Sequence, residues 1–190
     1  MPDRERDAAR TRRLVLDAAA RAVAAHGSGV SLDVVARAAG VSKGGLLHHF
    51  RSREALLLAL AEDLVERFRA DVAAAVDPRD QAPGRLVRGY VNAVVDDLLA
   101  PPAAAEHALL YAALTVVPAV AELLRRDKQW WDRAFADDGL HPQRALLVVR
   151  AADGAGVAGL YEGGEDPEEL ERTRLLLLAL TRVDGPLVGP

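Results

Sequence analysis

Residues Ser31–Phe50 read SLDVVARAAGVSKGGLLHHF, and the fold is decided there. The Ser31 hydroxyl is placed to cap a short helix by accepting an orphan backbone N–H. Val35, Ala36 and Ala39 share one face of that helix. Gly40 ends it, because a left-handed position after a helix is nearly free for glycine. Val41 is a single apolar plug, and Ser42 caps a second helix running through Leu46 to Phe50. Two short helices joined by a tight glycine turn form a helix-turn-helix, whose second helix enters the DNA major groove. A small residue at Ala36 lets the helices cross closely, while Val41 and Leu46 fill the angle between them.

Outward from this stretch, a first helix is expected from about Arg10 to His26, with Leu14, Ala18, Ala22 and Ala25 at helical spacing and Gly27 as its stop. Residues 1–9 read as a frayed arm. Arg10, Arg12 and Arg13 are placed to touch phosphates, diluted by Asp3, Glu5 and Asp7, while Arg4 and Arg6, which could also reach them, read better as part of a solvated terminus. Ser52 caps a long helix to about Val76, striped by Leu57, Leu60, Leu64, Phe68 and Val72. The segment Asp77–Gly84 (DPRDQAPG) is a loop. Five more helices follow. They run from about Arg85 to Ala100, from Ala103 to about Val116, from Pro118 to near Gly139, from Pro142, and from the Asp166-Pro167-Glu168-Glu169 start. The helix from Pro142 reads as interrupted by Gly154, Gly156 and Gly159. The fold expected is therefore all-α, with about nine helices. A three-helix DNA-binding head occupies residues 1–56, its linking helix continuing to about 76, and a helical body occupies 57–190.

Composition agrees. The 190 residues are about half apolar, rich in alanine and leucine and poor in aromatics, a globular and helix-favouring mixture. With no cysteine, disulfides, thiol catalysis and cysteine-ligated zinc are excluded. This fits a reducing cytoplasm, the expected location. No apolar run approaches the roughly 20 residues that span a bilayer. The charged N-terminus MPDRERDAARTRR lacks a signal peptide's apolar core. The net charge of −4 divides unevenly: the first 56 residues hold ten Arg or Lys against six Asp or Glu, and the remainder holds an acidic excess. A basic head on an acidic body orients the head toward a polyanion.

The stretch AGVSKGGLLHHF, with the first helix before it and RSREALLLAL after it, resembles the DNA-binding segment of the tetracycline-repressor (TetR) family. The family pattern is similar to AGVSKGTLYHYF followed by a Ser-Lys-Glu-like helix start. The resemblance covers about the first sixty residues, and the rest of the chain carries no quotable motif. It implies a dimeric transcriptional regulator that holds a palindromic operator and responds to a small molecule.

Three kinds of DNA contact are expected. Ser31, Ser42 and Ser52, at helix starts, and the charges of Lys43 and Arg53 would position the head on phosphate. Arg53 stands where the family has lysine. Gly44 and Gly45 would let the backbone approach a base edge or phosphate, and the family often has threonine at the position of Gly45. Leu47 would meet a thymine methyl, His49 would donate to phosphate, and His48 keeps the family's histidine. Tyrosine is common at the positions of Leu47 and His49. Adjacent histidines diverge by about 100° on a helix, so no metal site is expected there, and no cofactor anywhere.

The core of the last helix, Leu175–Leu180, is apolar on every face and asks for burial all round. The economical solution is a two-fold homodimer in which the last two helices of each subunit form a bundle, with Leu146, Val149, Gly156, Leu177 and Leu178 in the interface. Candidate effector-binding residues are Tyr90, Asn92, His107, Tyr111, Trp130, Trp131 and Phe135, an aromatic set with a few polar groups that suits a largely apolar ligand. The leading function is a ligand-responsive, sequence-specific regulator, a repressor by family habit. The alternatives are an architectural or ligand-independent DNA-binding protein, or a helical enzyme. The last lacks HExxH, a phosphate-binding glycine loop or a nucleophile–base pair, so catalysis is not expected.

Overall fold

The computed structural model describes residues 2–100, 103–162, 166–183 and 185–189. Nine helices and no strand occur among them: α1 (Pro2–His26), α2 (Leu32–Ala38), α3 (Lys43–His49), α4 (Arg53–Ala75), α5 (Arg85–Leu98), α6 (Ala103–Thr115), α7 (Pro118–Asp137), α8 (Pro142–Glu162) and α9 (Pro167–Leu180). They divide into two compact units, Met1–Val65 with Leu109–Arg125, and Glu66–Ala108 with Arg126–Pro190. Three helices, α4, α6 and α7, contribute residues to both.

The first unit has an aliphatic core. Val15, Leu16, Ala18, Ala19, Ala22 and Val23 of α1 meet Val35 and Ala36 of α2, Leu46 of α3 and Leu56, Leu57, Leu60 and Leu64 of α4. Leu110, Leu114 and Val120 complete it. The expected α1 stripe is corrected at both ends: Leu14 and Ala25 are exposed, and Val15, Ala19 and Val23 take the inward positions. Residues 2–9, expected as a frayed arm, belong to α1. Arginine, glutamate and alanine are good helix formers, and that preference prevails over the lack of apolar anchors.

The second unit is built around α5. Gly89 lies so near α4 that an added Cβ would meet Val76 Cγ2 at 2.6 Å and the Val72 carbonyl at 3.0 Å. Only glycine permits that crossing. α5 starts after Gly84, which is left-handed (φ 86°) and has no side chain to cap with. Asp138, just beyond α7, supplies the cap: its carboxylate accepts from the N–H groups of Leu86 (3.0 Å) and Val87 (3.1 Å). α8 packs on α5 and runs unbroken through Gly154, Gly156 and Gly159, which corrects the expected interruption. Glycine weakens a helix by about 1 kcal/mol but does not end one. Asp166 caps α9 as expected, accepting from Glu168 N–H at 3.0 Å with Pro167 in the first turn.

Two buried arginines hold the chain's end. Arg88 donates to Asp80 (2.6 Å), Pro83 O (2.9 Å), Ala82 O (3.1 Å) and Thr181 O and Oγ1 (both 3.4 Å). Arg144 donates to Leu180 O (3.0 Å) and Gly185 O (2.7 Å). Gln143 Oε1 accepts from Leu187 N–H at 2.8 Å and Val188 N–H at 3.2 Å. The hydrogen bond from Arg88, foremost among its surroundings, holds the Asp80 carboxyl below its ordinary value of 3.8.

Candidate nucleic-acid interface

The turn between α2 and α3 is a complete Schellman motif. Gly40 is left-handed at φ 68°, its N–H donates to Arg37 O (3.1 Å), and the Val41 N–H reaches back to Ala36 O (3.0 Å). Ser31 caps α2 by accepting from Val34 N–H (3.3 Å), and Ser42 caps α3 by accepting from Gly45 N–H (3.0 Å). Ser52 accepts from Ala55 N–H (3.1 Å) at the start of α4. All three expected caps form.

Leu46 is 0 % exposed and Phe50 3 %, so this side of α3 is rooted in the core. Ser42, Lys43, Gly44, Leu47 and His48 are exposed, and Gly45 and His49 are half-buried. Positions 43, 44, 47 and 48 recur at helical spacing, so α3 offers one free face opposite its anchored one. Ser31, Ser52 and Arg53 are exposed on the same unit. A Cβ at Gly44 would meet nothing closer than 4.0 Å, whereas one at Gly45 would press the Ser42 hydroxyl at 3.3 Å. A side chain at 45 would therefore require the Ser42 hydroxyl to give by a few tenths of an ångström.

The cations of this unit are unequally free. Lys43 Nζ donates to Asp33 Oδ2 at 2.9 Å. Arg53 donates to the Gly29 carbonyl at 3.3 Å, and the Arg12 guanidinium stands over the Phe50 ring, 5.4 Å from its centre. Arg13, grouped by sequence with the phosphate-reaching arginines, is committed to the fold. It donates to Asp63 at 2.7 and 3.0 Å and to Asp17 at 3.0 Å, tying α1 to α4. The hydrogen bond to Asp17 leads the effects that raise its pKa. The His48 and His49 rings meet edge to face with centres 5.5 Å apart.

The effector candidates do not all come together. Tyr90, Trp131 and Phe135 are buried in the second unit and pack edge-on or stacked with Phe68 at ring separations of 5.2–5.9 Å. Phe68, on the α4 stripe, is the member of this cluster absent from the effector candidates. The Tyr90 hydroxyl donates to Asp153 Oδ1 at 2.6 Å, a partner the sequence did not flag. Trp130 is partly exposed at the edge of the cluster, with the Arg69 guanidinium 4.1 Å over its ring and Arg69 also bonded to Asp127 at 2.8 Å. Asn92 is half-buried on α5. Tyr111 packs instead on the aliphatic core of the first unit. The side chain of His107 lies outside the described residues.

On α8 and α9, Leu146 is exposed and Val149, Gly156 and Leu178 are half-buried. Leu177 is 5 % exposed and sits inside the second unit's own core, so its burial needs no partner. Further exposed apolar side chains on these helices include Leu147 (47 %), Val157 (53 %), Leu175 (66 %) and Leu176 (67 %), none of them among the expected interface residues.

A bipartite, all-helical chain with a capped helix-turn-helix in its first unit defines a class of bacterial regulator, and comparison with known proteins agrees. Residues 15–60 match the family model "Bacterial regulatory proteins, tetR family", and residues 84–182 match "Tetracyclin repressor-like, C-terminal domain". The chain belongs to the TetR family of transcriptional regulators, whose members bind DNA through this head. It is 39 % identical over 66 residues to the HTH-type transcriptional regulatory protein RaaS of Mycobacterium tuberculosis, a match spanning 35 % of this chain and 31 % of that protein. It shares the fold of a transcriptional regulator from Rhodococcus sp. Rha1 (TM-score 0.73, 23 % identity, covering 90 % of this chain and 95 % of that one). It is also similar to the multidrug binding protein EbrR complexed with malachite green (TM-score 0.68, 27 % identity, covering 90 % and 98 %). No helix among the described residues is long and apolar enough to cross a membrane.

Proposed function

We propose that the protein is a homodimeric repressor that holds a palindromic operator and is released from it by a small, largely apolar effector, acting in the cytoplasm as a binding protein and not as an enzyme. The observation that carries this reading is the face of α3. Lys43, Gly44, Leu47 and His48 are presented outward while Leu46 and Phe50 fix the helix from behind. Lys43, Arg53 and the serine hydroxyls at positions 31, 42 and 52 position the head on phosphate. Leu47 and His48 face the base edges, His49 donates to phosphate, and Gly44 lets the backbone come close.

Dimerisation is supported by the exposed leucines 146, 147, 175 and 176 on the adjoining helices α8 and α9, an apolar face that a soluble monomer rarely leaves bare. Two such heads related by a two-fold axis suit inverted half-sites. An apolar effector is supported by the aromatic interior around Tyr90 and Trp131, and by the ligand carried by EbrR. The test is selection of bound fragments from random duplex DNA at near-physiological salt. Recovery of an inverted repeat is the expected result. Recovery of no enriched sequence by the folded protein would sink the operator reading.

A further inference from the structure

We propose that Asp33 restrains Lys43 and so sets the strength of the head's sequence-independent hold on DNA; this rests on the DNA-binding reading above. Asp33 is the one acidic residue between Ser31 and Phe50. It lies in the first turn of α2, ten residues before Lys43, and the α2–α3 turn brings the two side chains to 2.9 Å. The pair thus bridges the two helices of the DNA-binding motif on its outer side.

Local structure does not require that carboxylate. The α2 cap is made by Ser31 Oγ; the Asp33 carbonyl accepts the Arg37 side-chain Nε–H at 3.4 Å, and the carboxylate serves α2 only as an exposed first-turn charge. Both charged side chains are more than half exposed, at 57 and 56 %, so the pair adds little to folding. Its consequence falls on binding. Lys43 is the only Lys or Arg on α3. A phosphate that takes it must take it from Asp33, leaving a carboxylate beside a polyanion. One cation of the head is therefore already neutralised before DNA arrives, and one fewer counterion is released when it binds. The effect is the same for every sequence, because phosphates carry no sequence information.

The experiment is a salt series of equilibrium titrations. The full-length protein and its Asp33→Asn, Lys43→Gln and double variants are mixed with a labelled duplex of arbitrary sequence, after melting curves show equal stability. Asp33→Asn is expected to bind more tightly than the wild type and to steepen the logarithmic salt slope by about 0.9. Its advantage should accordingly shrink by about threefold between about 50 and 200 mM salt. Most of the gain should be lost in the Lys43→Gln background, leaving only the part due to removing a carboxylate from beside the phosphates. Binding by Asp33→Asn that is no tighter, with an unchanged slope, overturns the proposal. A gain that survives undiminished without Lys43 overturns it too, since Asp33 would then act by direct repulsion. Failure of every variant, the wild type included, to bind duplex at low salt would instead remove the DNA-binding reading and this one with it.

Discussion

Lys43 and Asp33 meet at 2.9 Å in the first unit with more than half of each side chain in water, whereas Arg88 and Asp80 meet at 2.6 Å in the second with 5 and 10 % exposed. The geometry is alike and the surroundings are not. In water the attraction is screened and the two groups remain available to a third charge. In the interior each charge has lost its hydration, and the pair holds only because Arg88 has further acceptors in Pro83, Ala82 and Thr181. The same contrast runs through both units. The first turns its polar groups outward from an aliphatic core, and the second turns several inward to fasten its own chain. A surface meant to meet a partner keeps its charges loosely committed, while a scaffold commits them fully.

The contrast breaks most visibly at Arg88. Arg88→Ala leaves Asp80 buried without its main partner and is expected to cost about 3–5 kcal/mol, read as a large drop in denaturant midpoint. A change below about 1 kcal/mol would show that water replaces the guanidinium and that the interior is less dry than described. Next in size is the proposed dimer interface. Leu175→Asp with Leu176→Asp should give a folded monomer by sedimentation, because both side chains point away from the subunit core. Leu177→Asp should misfold instead, since it buries a charge. A folded, dimeric double variant would remove α9 from the proposed interface.

Acid probes the buried pair without mutation. The Asp80 pKa is lowered in the folded state, so its contribution to stability is complete above the ordinary value of 3.8 and is lost as pH falls through the folded one. Stability should therefore decline below about pH 4, and Asp80→Asn should flatten that decline. An identical acid limb in the variant would place the titration elsewhere. The smallest effect on the fold belongs to the exposed pair. Lys43→Ala should leave stability within about 0.5 kcal/mol. It should still weaken binding to all DNA sequences and flatten the salt dependence. A change of sequence preference at constant salt slope would make Lys43 a base reader.

The first unit was legible because its instructions are local. Ser31, Ser42 and Ser52 cap helices within three residues of themselves, Gly40 turns the chain where it stands, and Leu46 faces inward because its neighbours at 43, 44, 47 and 48 are polar, small or displaced around the helix. The second unit was less so, because its decisive contacts are distant. Arg88 meets Thr181, Arg144 meets Gly185, and Tyr90 meets Asp153, none of which is signalled by spacing. In the run Leu175–Leu178 composition is uniform, so nothing in it distinguished inward Leu177 from outward Leu175 and Leu176. Tyr111 and Tyr90 looked alike as aromatic candidates and belong to different cores.

The cap that Asp138 lends to α5 also bears on how the protein is made. The carboxylate comes from 52 residues downstream of Leu86. While the chain is still emerging from the ribosome, the free N–H groups at the start of α5 have no such partner, and they gain one only after the whole of α7 has been synthesised. α5 and the end of α7 must therefore mature together, and a stall in translation anywhere between them would expose an uncapped amphipathic helix to whatever chaperone or protease is near.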